Sequence, residues 1–192
     1  MVALREEETL SLAEAAVNFA VKKGADEAEV FIYQGLTTSI AIERGQIAKS
    51  SRIIDQGLGV RAIVNNALGF AYTNLLGDKG ALEETALKAL KSAKANKPDN
   101  DWKGLPPKKP FQHVKNTFDK SVLELSADDL VKIASTMLEA AEKTDKRVFP
   151  IEGGVGASCL SRAVANSNGV LGFDSGTVVE CSLPQSPVKK VK

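Results

Sequence analysis

The sequence has 192 residues, of which 25 are basic and 24 acidic, so its formal net charge at pH 7 is +1. This length suffices for one well-buried domain or for about one and a half, and the balanced charge excludes a global field that would attract nucleic acid or a membrane surface. No apolar run approaches the roughly 20 residues that span a bilayer, and the amino terminus has no apolar signal core. We therefore expect a soluble cytoplasmic protein that does not associate with membranes.

Two amphipathic helices are predicted near the start of the chain. Ser11 and Glu14 have the spacing of a capping box, and apolar residues repeat on one helical face after them, so we place the first helix over residues 9–23. Asp78 offers an N-cap to a second apolar repeat, which predicts a helix over residues 79–95. Each helix has one apolar face, so each is expected to pack on a sheet.

Between these helices, apolar and polar residues alternate, which indicates an antiparallel meander of about five strands. Residues 34–36 and 44–46 are interpreted as turns between the first strands. The last two strands form a hairpin over residues 57–73, because Asn65-Asn66 tolerates the positive φ of a tight turn. Helix, meander and helix form a complete folding unit.

A connection rich in lysine and proline follows over residues 96–117. Residues 88–120 carry nine lysines against three aspartates, a local excess of six positive charges. Because this stretch has no arginine and only scattered aromatic residues, we favour a solvated connection over a nucleic-acid site. Trp102 is expected to anchor the connection to the domain surface, since a single large aromatic residue in a polar segment usually packs down.

A second unit of one helix and hairpin strands is predicted to begin at residue 118. Ser126 and Asp129 have capping-box spacing and precede an apolar repeat that extends to about Lys143. Farther on, Ser167-Asn168-Gly169 predicts a tight turn between two strands. These few strands leave a sheet edge and an apolar face without a cover, which suggests a partner chain or a continuation.

The sequence offers no set of side chains that is typical of metal or nucleophilic chemistry. His113 is the only histidine, and neither Cys159 nor Cys181 has a metal-type spacing, so we predict neither a zinc site nor a Ser-His-Asp or Cys-His centre. The glycines of residues 57–62 match a dinucleotide fingerprint formally, but a strand follows them instead of a helix. The glycine-rich residues 152–158 lack the Gly-Lys-Ser/Thr of a phosphate loop, and we interpret them as a bulge or turn.

These patterns predict an α+β fold of two helix-plus-antiparallel-meander units, in which the helices pack on one face of a mainly antiparallel sheet and the second unit is incomplete. We divide the chain into a domain over residues 1–95, the connection over residues 96–117, the start of the second unit over residues 118–183 and a basic tail over residues 184–192.

Four short motifs occur in an order that resembles a known family. They are Gly-Ala-Asp-Glu-Ala-Glu-Val at residues 24–30, Gly-Leu-Gly-Val-Arg at 57–61, Gly-Phe-Ala-Tyr-Thr at 69–73 and Ala-Asn-Ser-Asn-Gly at 165–169. Together they resemble the N-terminal half of the TldD/PmbA family, the so-called modulators of DNA gyrase. The resemblance implies a cytoplasmic protease assembly that matures or degrades peptides, in which one subunit type carries a His-Glu-x-x-x-His zinc helix in its C-terminal half.

The resemblance implies that this chain is the N-terminal scaffold and substrate-channel part of such a metalloprotease assembly. We expect no catalytic residue, metal ligand or cofactor in it, because the zinc would belong to an absent C-terminal half or to a partner subunit. The expected partners are a second copy, a TldD-like subunit and an extended peptide. Arg61, Tyr72, Asn166 and Asn168 are the candidate contacts with partner or substrate, and Arg61 alternatively bridges to a carboxylate on a neighbouring strand.

Two alternatives stay open at this point. One is a module that binds a peptide or a partner strand at an open sheet edge, where main-chain pairing supplies the affinity. The other, which we favour less, is a nucleic-acid-binding or gyrase-associated protein that uses the lysine-rich connection, for which affinity would fall steeply with added salt.

Overall fold

The computed structural model describes residues 5–110, 114–144 and 148–187, which form four helices and seven strands. The helices are α1 (Glu6–Lys22), α2 (Lys79–Ala95), α3 (Lys120–Leu123) and α4 (Ala127–Thr144). The strands are β1 (Glu27–Glu43), β2 (Gln46–Val64), β3 (Ala67–Thr73), β4 (Val148–Pro150), β5 (Glu152–Asn166), β6 (Leu171–Ser182) and β7 (Gln185–Pro187). His113 and residues 188–192 of the predicted tail lie outside the described residues.

The predicted α+β class is confirmed, since helices accompany a five-stranded antiparallel sheet. The strand order in this sheet is β3-β2-β1-β5-β6, and β4 pairs with β7 in a separate two-stranded sheet. Residues 185–187, which we had placed in the tail, therefore form a strand, opposite residues 148–150.

The chain groups into two compact units, each assembled from separate segments. Unit 1 comprises Met1–Gln34, Asp55–Val114 and Ser161–Ser175, and unit 2 comprises Gly35–Ile54, Lys115–Leu160 and Gly176–Lys192. Strands β1, β2, β5 and β6 each contribute one end to unit 1 and the other end to unit 2.

The meander before α2 has three long strands instead of the predicted five. The turns occur where the backbone has positive φ, at Arg44 (51°) and Gly45 (73°) and at Asn65 (49°) and Asn66 (62°). Gly35 lies inside β1, and its backbone stays extended because β1 is paired with a strand on each side, which holds it in the sheet. The prediction of a turn at residues 34–36 was therefore wrong.

Helix α1 begins three residues before the predicted start at residue 9. The carboxylate of Glu8 accepts hydrogen bonds from the backbone N–H of Arg5 at 3.1 Å and from the Arg5 guanidinium at 2.9 Å. Acidic residues in this first turn also interact favourably with the helix dipole. The capping pattern at Ser11 and Glu14 consequently lies inside the helix.

Helix α2 has the predicted bounds, and Asp78 is its N-cap, because the Asp78 carboxylate accepts from the N–H groups of Gly80 and Ala81 at 2.8 and 3.2 Å. Helices α1 and α2 bury their apolar faces on the strands of unit 1. The core consists of small and branched apolar side chains: Ala13, Ala16, Val17, Ala20, Ala25, Ala28, Val30, Ile32, Leu58, Val60, Ala62, Leu76, Leu82, Ala86, Ala89, Leu90, Ala163 and Ala165.

Helix α2 lies unusually close to β3 at Gly69. A Cβ added to Gly69 would collide with the backbone carbonyl oxygen of Ala89 and the backbone nitrogen of Ala93. Only glycine permits this approach of a helix to a strand, so the glycine fixes the distance at which α2 packs on the sheet.

In unit 2, α4 packs Leu130 and Ala134 against Ile40, Ile42 and Val155 of β1 and β5. Its predicted cap is confirmed, since the hydroxyl and N–H of Ser126 donate to the Asp129 carboxylate at 2.6 and 3.2 Å. The glycine-rich residues 152–158 are not the predicted turn but the start of β5. Their glycines serve close strand packing, because a Cβ at Gly154 would collide with the carbonyl oxygen of Ile40.

Candidate functional site

The strands of unit 1 expose an aromatic surface on the side opposite the core. Phe70 is 56% exposed and Tyr72 is 78% exposed, and their rings stack with centroids 6.5 Å apart. The Phe70 ring covers Gly59 of the paired strand, where a Cβ would come within 3.0 Å of the ring carbons. Such contiguous exposed aromatic area is typical of an interaction site. We call the surface formed by Phe70, Tyr72 and the neighbouring Arg61–Glu29 pair the open face.

Arg61 lies directly opposite Phe70 in the β2–β3 register. Its guanidinium forms an ion pair with Glu29 of the neighbouring strand β1 at 3.4 Å. The Arg61 side chain is 43% exposed and that of Glu29 is 20% exposed. The neighbouring-strand alternative for Arg61 is thus seen in the structure, and the outer part of its guanidinium still faces solvent.

The open face was predicted in part. Sequence reasoning selected Arg61 and Tyr72 but missed Phe70 and Glu29. The missed signal is alternation, since Phe70 is two residues from Tyr72 and Glu29 lies between the buried residues Ala28 and Val30.

Asn166 and Asn168 lie apart from the open face, in the turn between β5 and β6. The Asn166 side chain is buried; its amide donates to the carbonyl of Pro106 at 2.9 Å and its oxygen accepts from the N–H groups of Asn168 and Val170. The Asn168 amide donates to the carbonyl of Leu105 at 2.8 Å. Both asparagines therefore bind the connection after α2 to this turn, a contact within the chain itself.

The carboxylate of Glu27, at the start of β1, also holds this connection. It accepts hydrogen bonds from the indole of Trp102 at 2.8 Å, from the N–H of Leu105 at 2.9 Å and from the amide of Asn168 at 3.3 Å. The predicted anchoring role of Trp102 is confirmed. Because its indole is engaged with Glu27, Trp102 contributes to the fold of unit 1.

The described residues contain no group of three or more His, Cys, Asp or Glu side chains that could hold a metal ion. Cys159 is a free thiol, and burial raises its pKa, which disfavours the thiolate that nucleophilic chemistry requires. Within the same described ranges, no helix is both long and apolar enough to cross a membrane. The chemistry that the open face offers is stacking, apolar contact and charge pairing.

Comparisons with known proteins identify the family. A family model described as PmbA/TldA metallopeptidase domain 1 matches residues 28–95, and one described as the PmbA/TldA metallopeptidase central domain matches residues 120–183. An uncharacterised protein of Methanocaldococcus jannaschii is 26% identical over 149 residues, which is 78% of this chain and 33% of that protein.

Solved structures agree with this assignment. The chain is similar to TldE from Thermococcus kodakarensis, with a TM-score of 0.84 and 26% identity over 93% of this chain and 40% of that one. A proposed modulator of DNA gyrase from Bacteroides thetaiotaomicron shares the fold, with a TM-score of 0.78 and 22% identity over 93% of this chain and 44% of that one. The chain thus spans between a third and a half of the length of these relatives. With both family models matched in order, the chain belongs to the TldD/PmbA family.

Proposed function

We propose that this chain is the N-terminal scaffold and substrate-channel part of a TldD/PmbA-like metalloprotease assembly that matures or degrades peptides in the cytoplasm. The observation that carries the proposal is the match to the first and central domains of a family described as metallopeptidases. The zinc and the catalytic residues are supplied by a C-terminal half or by a TldD-like subunit, so the chain is not catalytic by itself.

The open face supports a channel wall. An unfolded peptide presents apolar side chains and backbone, and stacked aromatic rings contribute large contact area with few torsions to fix. The exposed part of the Arg61 guanidinium adds a donor for a peptide carboxylate or carbonyl. In this role Phe70, Tyr72 and Arg61 bind substrate without taking part in bond cleavage.

Reconstitution with a TldD-like subunit that carries the His-Glu-x-x-x-His helix tests the proposal. We expect the purified chain alone to contain no stoichiometric zinc and to leave an unfolded peptide intact, and the two subunits together to cleave it. Stoichiometric zinc in the isolated chain, with peptide cleavage that a chelator abolishes, would contradict the proposal.

A pair of variants tests the channel wall. The double variant Phe70→Ala, Tyr72→Ala should raise KM of the reconstituted assembly and leave kcat unchanged, because the rings contribute binding that is uniform along the reaction. Phe118→Ala, at an aromatic residue of unit 2 that is 45% exposed, is the matched control and should change neither constant. An unchanged KM in the double variant would remove the open face from the channel.

The edge position of β3 favours a second candidate, a module that binds an extended peptide. The two-residue turn at Asn65-Asn66 makes Ala62 and Gly69 a hydrogen-bonded pair, so Leu68 and Phe70 direct their N–H and C=O groups away from β2. The carbonyl of Leu68 accordingly accepts from the Asn96 amide at 2.7 Å. Phe70 directs its own groups to the same edge, where an added strand pairs.

Backbone methylation distinguishes this candidate from the channel wall. If a fluorescent extended peptide binds the isolated chain by strand addition, N-methylation of alternate peptide bonds should abolish the anisotropy change, because it removes the N–H donors. Binding that survives methylation would leave side-chain contact with the open face as the mode of recognition.

A further inference from the structure

Helix α1 and the segment that leads into α2 leave a groove of about 890 Å³ in unit 1. Leu12, Ala15 and Phe19 line it from α1, and Leu76 and Leu82 line it from the other side. Charged side chains line the remainder: Glu7, Glu8, Lys22, Lys23, Lys79 and Glu83. The groove therefore combines an apolar centre with charged ends.

The α1 residues that line the groove have the spacing of a helix-pairing seam. Glu8, Leu12, Ala15, Phe19 and Lys22 follow one another at intervals of four, three, four and three residues. This average repeat of about 3.5 residues keeps one stripe of a helix in contact with a second helix along its length. The seam thus has the pattern that packs against another helix.

The seam is also complementary to itself when it is reversed. Glu8 and Lys22 lie seven residues before and after Ala15, so each charge is about 10 Å from the centre along the helix axis. Beside them, Glu7 and Lys23 repeat the relation one position farther out. A small residue at the centre lets two helix backbones approach closely.

We propose that α1 docks antiparallel against α1 of a second copy of this chain, with the two-fold axis at Ala15. Each Glu8 then faces Lys22 of the second copy, each Leu12 faces Phe19, and the two Ala15 residues meet. A parallel arrangement would place like charges opposite each other at both ends, so the charges select the antiparallel one. This inference does not rest on the proposed function.

Charge-reversal variants of the full chain test the arrangement by sedimentation velocity and light scattering. The acidic-end variant is Glu7→Lys, Glu8→Lys, and the basic-end variant is Lys22→Glu, Lys23→Glu. The matched control Lys91→Glu, Lys94→Glu makes the same charge change on exposed positions of α2 outside the groove. Circular dichroism of each variant reports whether α1 remains helical.

We expect the unmodified chain and the control to form a dimer with the same dissociation constant, and each reversal variant to dimerise about 100-fold more weakly, because four attractive pairs become repulsive. An equimolar mixture of the two reversal variants should restore a dimer, since one has two acidic ends and the other two basic ends. A single chain with all four substitutions should also dimerise.

Several results would overturn the inference. They are an unmodified chain that stays monomeric up to its solubility limit, reversal variants that dimerise as tightly as the control, and helical reversal variants whose mixture stays monomeric. A groove that binds only a TldD-like subunit, with the isolated chain monomeric, would likewise refute the second copy as its occupant and leave the proposed function intact. If a reversal variant loses helicity, the chain with all four substitutions decides the matter by the same criterion.

Discussion

The indole N–H of Trp102 donates a 2.8 Å hydrogen bond to the carboxylate of Glu27, which lies 75 positions earlier in the chain. Leu105 donates its backbone N–H to the other oxygen of the same carboxylate at 2.9 Å. Three donors, including the Asn168 amide, therefore converge on one acidic side chain. Because Trp102 is the only tryptophan, its fluorescence reports on this junction directly.

Glu27→Gln should lower the free energy of unfolding by about 1–3 kcal/mol, because the amide nitrogen cannot accept a hydrogen bond and leaves a donor without a partner. Urea denaturation followed by Trp102 fluorescence and by circular dichroism measures the change. Glu180→Gln, at an exposed position of β6, is the control and should stay within about 0.5 kcal/mol of the unmodified chain. Equal losses in the two variants would contradict the role of Glu27.

Gly69→Ala should destabilise the protein by about 1–3 kcal/mol, since the added methyl group collides with the backbone of α2 and must displace the helix. Gly77→Ala is the matched control, because a Cβ at Gly77 meets nothing within 4 Å. Thermal unfolding of both variants gives the comparison. The same midpoint for the two would mean that α2 does not depend on the close approach at Gly69.

Asn66→Ala should lower the free energy of unfolding by about 1 kcal/mol, because Asn66 has a φ of 62° and alanine is strained in this left-handed region. Asn66→Gly should be neutral or slightly stabilising, since Asn-Gly is the preferred pair for this hairpin turn. The opposite signs of these two variants in urea denaturation separate backbone strain from loss of the asparagine side chain. A loss in both would assign the effect to the side chain.

Stability at low pH should depend on Asp129. Hydrogen bonds from Ser126, and then from Lys132, lower the pKa of Asp129 from 3.8 to about 2. A lowered pKa in the folded state stabilises the protein above the unfolded pKa, and this contribution is lost as the pH falls from about 4 to about 2. Asp129→Asn should therefore be less stable than the unmodified chain at neutral pH, with a difference that shrinks across this window.

Thermal unfolding of Asp129→Asn and the unmodified chain between about pH 2 and 6 measures this difference. Asp128→Asn, one residue earlier in the first turn of α4, controls for the loss of a carboxylate near the helix N-terminus. A difference for Asp129→Asn that is constant across the pH range would exclude the link to its ionisation.

Sequence reasoning succeeded where the signals are local. The bounds of α2 follow from Asp78 and an apolar repeat within one segment, and the hairpin turn follows from Asn65-Asn66. It failed at Gly35 and Gly154, because whether a glycine turns or stays extended depends on pairing with strands that are distant in sequence. A local pattern contains no information about those partners.

The same limit applies to the candidate site. Tyr72 and Arg61 were selected from the hairpin that contains them, and the structure places both on the open face. Asn166 and Asn168 were selected as contacts with a partner, whereas their amides bind carbonyl groups 60 and 63 positions away within the chain. Polarity in a turn predicts a hydrogen-bonding role but does not say with which molecule.

The segmented composition of unit 1 has a consequence for the order of folding. Its core needs Ala163 and Ala165, which follow the first core residues by about 150 positions. During synthesis, α1 and the first strands therefore emerge long before the chain that completes their core, and closing so large a loop slows folding. A newly made chain thus carries an unfinished apolar surface while unit 2 is being synthesised, and this period is when chaperone binding or aggregation would compete with folding.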